Sequence, residues 1–258
     1  MGFSSAPRRI GLARTLSKLG YCSRSRAGEL IRAGRVKVNG ALRRNPESPV
    51  NVEADRISVD DENVSASKRI YLILNKPRGV VTSALDEKGR KTVYAYLDAG
   101  LPFVSPVGRL DKASEGLLLL TNDSEWGARI VDPETHLDKT YHVQIGALAD
   151  EALLQRLAAG VKVDGELLRA RRVRLLRHGE RNCWLEVVLD EGKNRQIRRM
   201  LDVLGIEVLR LVRVAIGPLV LGDLCKGAVR KLTHQEKYAL DKSLSQSVPQ
   251  RSTAHASK

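Results

Sequence analysis

Aromatic residues make up only 4% of this 258-residue chain, and Tyr21 stands alone between Arg8 and Ser65. A platform of successive rings for stacking unpaired bases is therefore excluded from the N-terminal part. Cysteine is just as thin. Cys22, Cys183 and Cys225 are scattered without CxxC or C-x-x-H spacing, so neither a disulfide framework nor a zinc site is expected. They read as reduced and mostly buried. The five histidines are dispersed, and His136 and His142 lie too far apart for an i, i+4 ligand pair on a helix. No apolar run approaches the roughly 18 residues of a membrane-spanning helix. The first residues lack the apolar core of a signal peptide, and Ala6 stands where a myristoylation motif needs Ser or Thr. The expectation is a cytoplasmic protein without membrane attachment. Neither GxGxxG nor GxxxxGK[ST] occurs, and no cofactor, metal or organic, is expected.

What the chain does have is positive charge. With 42% hydrophobic and 29% charged residues it can bury a core, and its length exceeds one average domain. A net charge of +14 points to polyanionic partners, nucleic acid first and membrane surfaces second. Eleven of the cations lie between Arg8 and Arg44, where Glu29 is the single acid.

That basic stretch has a readable plan. Leu12, Leu16 and Leu19 recur at helical spacing, and Gly20 ends the helix. Ser23 caps a second helix that Gly34 terminates, and Val36 and Val38 alternate with Arg35 and Lys37 before an Asn39-Gly40 turn. The module reads as helix, helix, hairpin. Residues 60–68, acidic and then serine-rich, form the expected linker, with a domain boundary at about residue 66.

The remainder is organised around Gly108 to Asp123, GRLDKASEGLLLLTND. Leu117 to Leu120 read as a buried strand, and residues 122–124 supply the turn and cap of a following helix. The strand anchors the loop before it, on which Asp111 sits between Arg109 and Lys112. Such an acid suits a nucleophile or base, and equally a loop residue that merely turns the backbone. Tyr141, Val143 and Ile145 alternate with polar residues, so Tyr141 falls on the apolar face of a strand, where an ordinary core tyrosine would also sit. A helix over 151–159 ends at Gly160, and an Asp164-Gly165 turn opens a run of antiparallel strands. Asn194 is expected to cap a helix with Ile197, Met200, Leu201 and Leu204 inward. At about 100° per residue Arg198 falls on the flank of that stripe, suited to a half-buried ion pair, while Arg195 and Arg199 face solvent or phosphate. A helix closes the domain near residue 242, and 243–258, rich in Ser and Gln, reads as a disordered tail. Without βαβα spacing, the class is α+β: a small N-terminal domain over 1–66 and a larger domain over 67–242 on a mainly antiparallel mixed sheet with flanking helices.

Three blocks carry a family resemblance over roughly residues 8 to 240. GRLD followed by x-x-S-x-G-L-L-L-L-T-N-D, the stretch Lys139-Thr140-Tyr141-His142-Val143, and the stretch from Glu191 to Met200 resemble, in order, the S4-domain-containing ribosomal RNA pseudouridine synthases. Ser114 stands where Thr is common. The resemblance implies an S4-like RNA-binding domain that grips phosphates through Arg24, Arg26, Arg35 and Lys37. It implies an isomerase that turns a ribosomal uridine into pseudouridine, with Asp111 as its carboxylate, acting on C1′ or on the C2′ proton. Tyr141 would stack on the flipped base, Arg198 would pair with Asp111, and Arg109, Arg195 and Arg199 would contact RNA. The implied partner is ribosomal RNA or a subunit assembly intermediate, bound by a monomer. The rival reading is an S4-containing binding protein that has lost the reaction.

Overall fold

The computed structural model describes residues 9–84, 86 and 88–246, and these fall into two compact units. The first comprises Met1–Tyr71, Leu97–Ser105 and Leu120–Ser124; the second comprises Leu72–Tyr96, Pro106–Leu119 and Glu125–Lys258. In the first unit the elements run β1 (Arg9–Gly11), α1 (Leu12–Lys18), α2 (Arg24–Arg32), β2 (Val36–Val38), β3 (Ala41–Arg43), β4 (Pro49–Asn51), β5 (Ile57–Val59) and β6 (Glu62–Asn63). The Ser23 hydroxyl accepts from the Arg26 amide and starts α2. Gly34, at φ +75°, ends it: Gly34 N–H donates to Ile31 and Arg35 N–H to Leu30, the paired bonds of a Schellman stop. Leu12, Leu16, Leu30 and Ile31 bury against Val36, Val38, Ile57 and Val59.

Two hairpin turns need a left-handed backbone, and the residues fit. Asn39-Gly40 joins β2 to β3 and Asp60-Asp61 joins β5 to β6, all four with positive φ, as a type I′ turn requires. Because β5 pairs with β2, the second turn presents its acids to the basic strand. Asp60 pairs with Arg35 and Asp61 with Lys37.

The second unit is built on a nine-stranded sheet. Its strands are β7 (Tyr71–Lys76), β8 (Ser105–Val107), β9 (Glu115–Thr121), β10 (Lys139–Ile145), then, past the separate hairpin β11 (Val161–Val163) and β12 (Glu166–Leu168), β13 (Arg172–His178), β14 (Cys183–Leu189), β15 (Val208–Ile216), β16 (Leu219–Val220) and β17 (Val229–Lys231). The order along the main path is β13-β14-β10-β15-β9-β7-β17. The pairings of β10 with β14 and β15 are antiparallel, and β9 joins β15 in parallel. Helices α3 (Ser124–Val131), α4 (Glu151–Ala159), α5 (Gln196–Val203) and α6 (His234–Gln246) flank it. Leu157 of α4 and Ile197, Met200 and Leu201 of α5 close one face over Val143, Ile145, Leu185 and Val187.

Strand β9 is buried along its whole length. At about 2 kcal/mol for each fully buried leucine, Leu117 to Leu120 hold it firmly, and with it the loop that precedes it. Three expectations change. Residues 60–63, part of the expected linker, instead form the Asp60-Asp61 turn and β6 of the first unit. Helix α6 continues through Gln246, so residues 243–246 extend its last turn rather than belonging to a tail, and 247–258 lie outside the described residues. Of the three free cysteines, only Cys183 is buried, while Cys225 is exposed.

Candidate active site

The loop from Leu110 to Ser114 is held by its carbonyls, five in succession. Leu110 O accepts from the Thr82 hydroxyl at 2.8 Å, and Lys112 O from Gly79 N–H at 2.7 Å. Lys76 Nζ donates to Asp111 O at 3.1 Å and to Ser114 O at 2.7 Å, and also to Pro77 O at 3.1 Å. Ala113 O accepts from Arg198 Nη2 at 3.1 Å. Each buried carbonyl satisfied in this way removes a freedom from the loop. The Asp111 main chain is thereby fixed while its side chain keeps 36% exposure.

Lys76 is the residue that sequence reading missed. Its side chain is fully buried, and burial pushes its amine down to about 8, against the opposing pull of Asp111 and Glu115. A lysine beside proline at a strand end reads as a solvated turn residue. The signal was its place at the inner end of β7, the strand of Tyr71, Leu72, Ile73 and Leu74.

Asp111 lines a cavity of about 410 Å³ together with Arg109, Lys139, Tyr141, Arg195 and Arg213. That volume lies within the range of small-molecule sites. Tyr141 lies half-buried on β10, opposite Val187 and Arg213 in register. Tyr141 and Asp111 thus line one cavity.

The arginines of α5 divide differently from expectation. Asn194 does not cap the helix: Arg195 occupies the N-cap, at φ +49°, without a side-chain cap bond. That left-handed kink goes with a different pairing, and Arg195 Nη1 lies 3.8 Å from the Asp111 carboxylate. This is too far for a hydrogen bond but close enough for charge attraction. Arg198 is not within ion-pair distance of Asp111 among the described residues. Its guanidinium, on the helix flank as the periodicity required, is spent on Ala113 O and, at 3.4 Å, on Val208 O, and its Nε is buried without a partner. Burial and the neighbouring Arg195 charge push that guanidinium below its usual range, and Asp111 opposes the shift. Arg199 reaches Asp164 and Glu166 of the β11–β12 hairpin at 3.3 and 3.2 Å, so it is not a free cation.

The cations expected to bind RNA in the first unit are exposed or partly exposed. Arg26 pairs with Glu29 at 2.8 Å, and Arg35 and Lys37 face the Asp60-Asp61 turn. Arg24 makes no ion pair among the described residues.

Comparison with known proteins bears on both units. Residues 10–57 match the family model of the S4 domain, and residues 70–202 match that of RNA pseudouridylate synthase. The chain is 36% identical over 228 residues to a Bacillus subtilis protein named ribosomal large subunit pseudouridine synthase B, covering 87% of this chain and 93% of that one. It is 37% identical over 236 residues to an uncharacterized RNA pseudouridine synthase of Aquifex aeolicus, covering 91% and 95%. A crystal structure titled pseudouridylate synthase superposes with a TM-score of 0.63 at 31% identity, covering 90% of this chain and 99% of that one.

Proposed function

The chain belongs to the RNA pseudouridine synthases, and from that premise we propose that it isomerises a specific uridine in ribosomal RNA, with Asp111 as the catalytic carboxylate. The carrying observation is the Leu110–Ser114 loop, whose five held carbonyls fix the main chain of an acid that faces a cavity shared with Tyr141. Preorganisation of this kind aims a nucleophile or base without cost at the moment of reaction. The name of the Bacillus subtilis relative supports ribosomal RNA as the substrate.

The reaction breaks the bond between N1 of uracil and C1′, turns the base, and rejoins it through C5. A stacked uridine cannot present those atoms, so it is flipped out, and stacking on Tyr141 offsets part of the unstacking cost. Asp111 either attacks C1′ or removes the C2′ proton, and both routes need a carboxylate at this position. Arg198 acts through the backbone: it holds Ala113 O and thereby the loop. Arg109 and Arg195, at the cavity, contact the RNA around the vacated position. Residues 1–66 act as the S4-like grip, Arg24 foremost, and residues 67–242 as the catalytic domain, in a cytoplasmic monomer.

The test is a map of pseudouridines in ribosomal RNA from cells with and without this chain. Loss of one site is expected, and the subunit carrying it identifies the target. An unchanged map would contradict the proposal.

A further inference from the structure

Two further cations stand in the wall of the cavity. Lys139 and Arg213 are 9% and 6% exposed, and both line the enclosure that holds Asp111 and Tyr141. Lys139 precedes Tyr141 by two residues on β10, and Arg213 lies opposite Tyr141 on β15, so all three side chains occupy one face of the sheet. No carboxylate comes within ion-pair distance of either cation among the described residues. Arg213 donates through Nε to Leu117 O at 2.8 Å, while its Nη2 is buried with no partner. Burial, and then the charge of Arg213, push the Lys139 amine below its ordinary range, against the opposing pull of Asp138 and Asp190. Two buried like charges with no carboxylate at ion-pair distance among the described residues are costly. An anion entering the cavity would relieve that cost.

The reaction makes such an anion inside the same cavity. When the bond from C1′ to N1 breaks, its electron pair stays on N1, and the negative charge spreads onto the O2 and O4 carbonyl oxygens of the released uracil. This holds whether Asp111 attacks C1′ or removes the C2′ proton. The base then turns and C5 bonds to C1′, displacing the carboxylate or, on the elimination route, adding to C1′ as Asp111 returns the proton to C2′. The proton on C5 is lost and N1 gains one, so atoms and charge balance without a co-reactant.

We propose that Lys139 and Arg213 form the subsite that receives the uracil carbonyl oxygens and stabilises the departing base as an anion. Both side chains are donors only and match acceptor oxygens, whereas the amino group at position 4 of cytosine would face them donor to donor. Charge developing against fixed, nearly buried donors is where electrostatic stabilisation is largest. The inference rests on the proposed reaction but not on which route Asp111 takes.

The experiment compares uridine with 5-fluorouridine at the target position of a ribosomal RNA fragment. Fluorine stabilises the uracil anion by itself. Single-turnover loss of the N-glycoside is followed for wild type, Lys139→Met and Lys139→Arg, with thermal melts as controls. Lys139→Met should be slower on uridine by roughly 100-fold, the loss typical of one removed oxyanion donor. On 5-fluorouridine its deficit should shrink by about tenfold, and Lys139→Arg should recover most of the uridine rate. Where Lys139→Met does not fold, Lys139→Gln, which removes the charge but keeps a polar side chain, carries the same comparison. Equal deficits on the two substrates, or no deficit, would overturn the proposal, because a merely structural lysine is indifferent to the leaving group. A wild type inactive on uridine would instead count against the ribosomal substrate.

Discussion

Lys76 donates to three main-chain carbonyls, and only its ammonium form has three hydrogens to give. With its amine held at about 8, a rise in pH through that value leaves one carbonyl facing a lone pair and loosens the loop behind Asp111. Turnover should therefore fall on the alkaline side of about 8. Stability should move the opposite way. The folded value lies below the ordinary 10.5, so the unfolded chain binds this proton more tightly, and the contribution of this group to stability grows between about 8 and 10.5. Lys76→Met should cost roughly 100-fold in rate at neutral pH, the scale of a small misplacement of a reacting group. It should also lack the limb near 8. Single-turnover pH profiles and denaturant melts of the two proteins check this, and a variant that keeps both the rate and the limb would refute it. Asp111 stood out as a candidate in the sequence because its neighbours form a long motif. Lys76 was not, because composition prices a lysine as a surface residue and only the three-dimensional convergence of carbonyls explains its burial.

Periodicity told which way Arg198 leaves α5 but not what it meets. The i, i+3, i+4 pattern put it on the flank, and the structure puts it there, yet its partners are the carbonyls of Ala113 and Val208, contributed by a loop and a strand remote in sequence. Arg198→Met should accordingly lower the single-turnover rate by about 100-fold at saturating RNA with a small loss of stability, because the loop loses one of its holders. Arg195, 51% exposed and 3.8 Å from the carboxylate, has a weak ion pair, and Arg195→Met should mainly weaken RNA affinity. Rates and dissociation constants measured side by side separate the two, and equal or reversed effects on rate would contradict the assignment. Gly116 is a second element-scale feature that pattern reading could not supply. It sits at φ +101° in the parallel pairing of β9 with β15, where an added Cβ would lie 2.3 Å from Arg213 O. Gly116→Ala should destabilise the protein by about 3 kcal/mol, read by denaturant midpoint, through backbone strain and a clash that no side-chain rotation relieves. An unchanged midpoint would mean that the two strands can separate freely.

Across the whole molecule, the two-part organisation and the α+β class were legible from hydrophobic period, turn residues and the basic stretch, because those signals are local. The distribution of free charge was not. Counting along residues 8–44 ignores Asp60 and Asp61, which the β5–β6 turn returns to Arg35 and Lys37. Arg24 has no ion pair among the described residues, so Arg24→Ala should lower the slope of log affinity against log salt by about one. The rate at saturating RNA should be unchanged, and an unaltered slope would remove Arg24 from the interface. The proposed activity on ribosomal RNA turns on one carboxylate. Asp111→Asn keeps shape and most hydrogen bonding but removes the charge, and a neutral amide is neither nucleophile nor base. Pseudouridine formation on ribosomal RNA or assembly intermediates, followed for wild type and Asp111→Asn with matched melts and RNA affinities, is the direct measurement. The account predicts product from the wild type and none above background from the variant, while an equally active Asn variant, or no product from either, would contradict it.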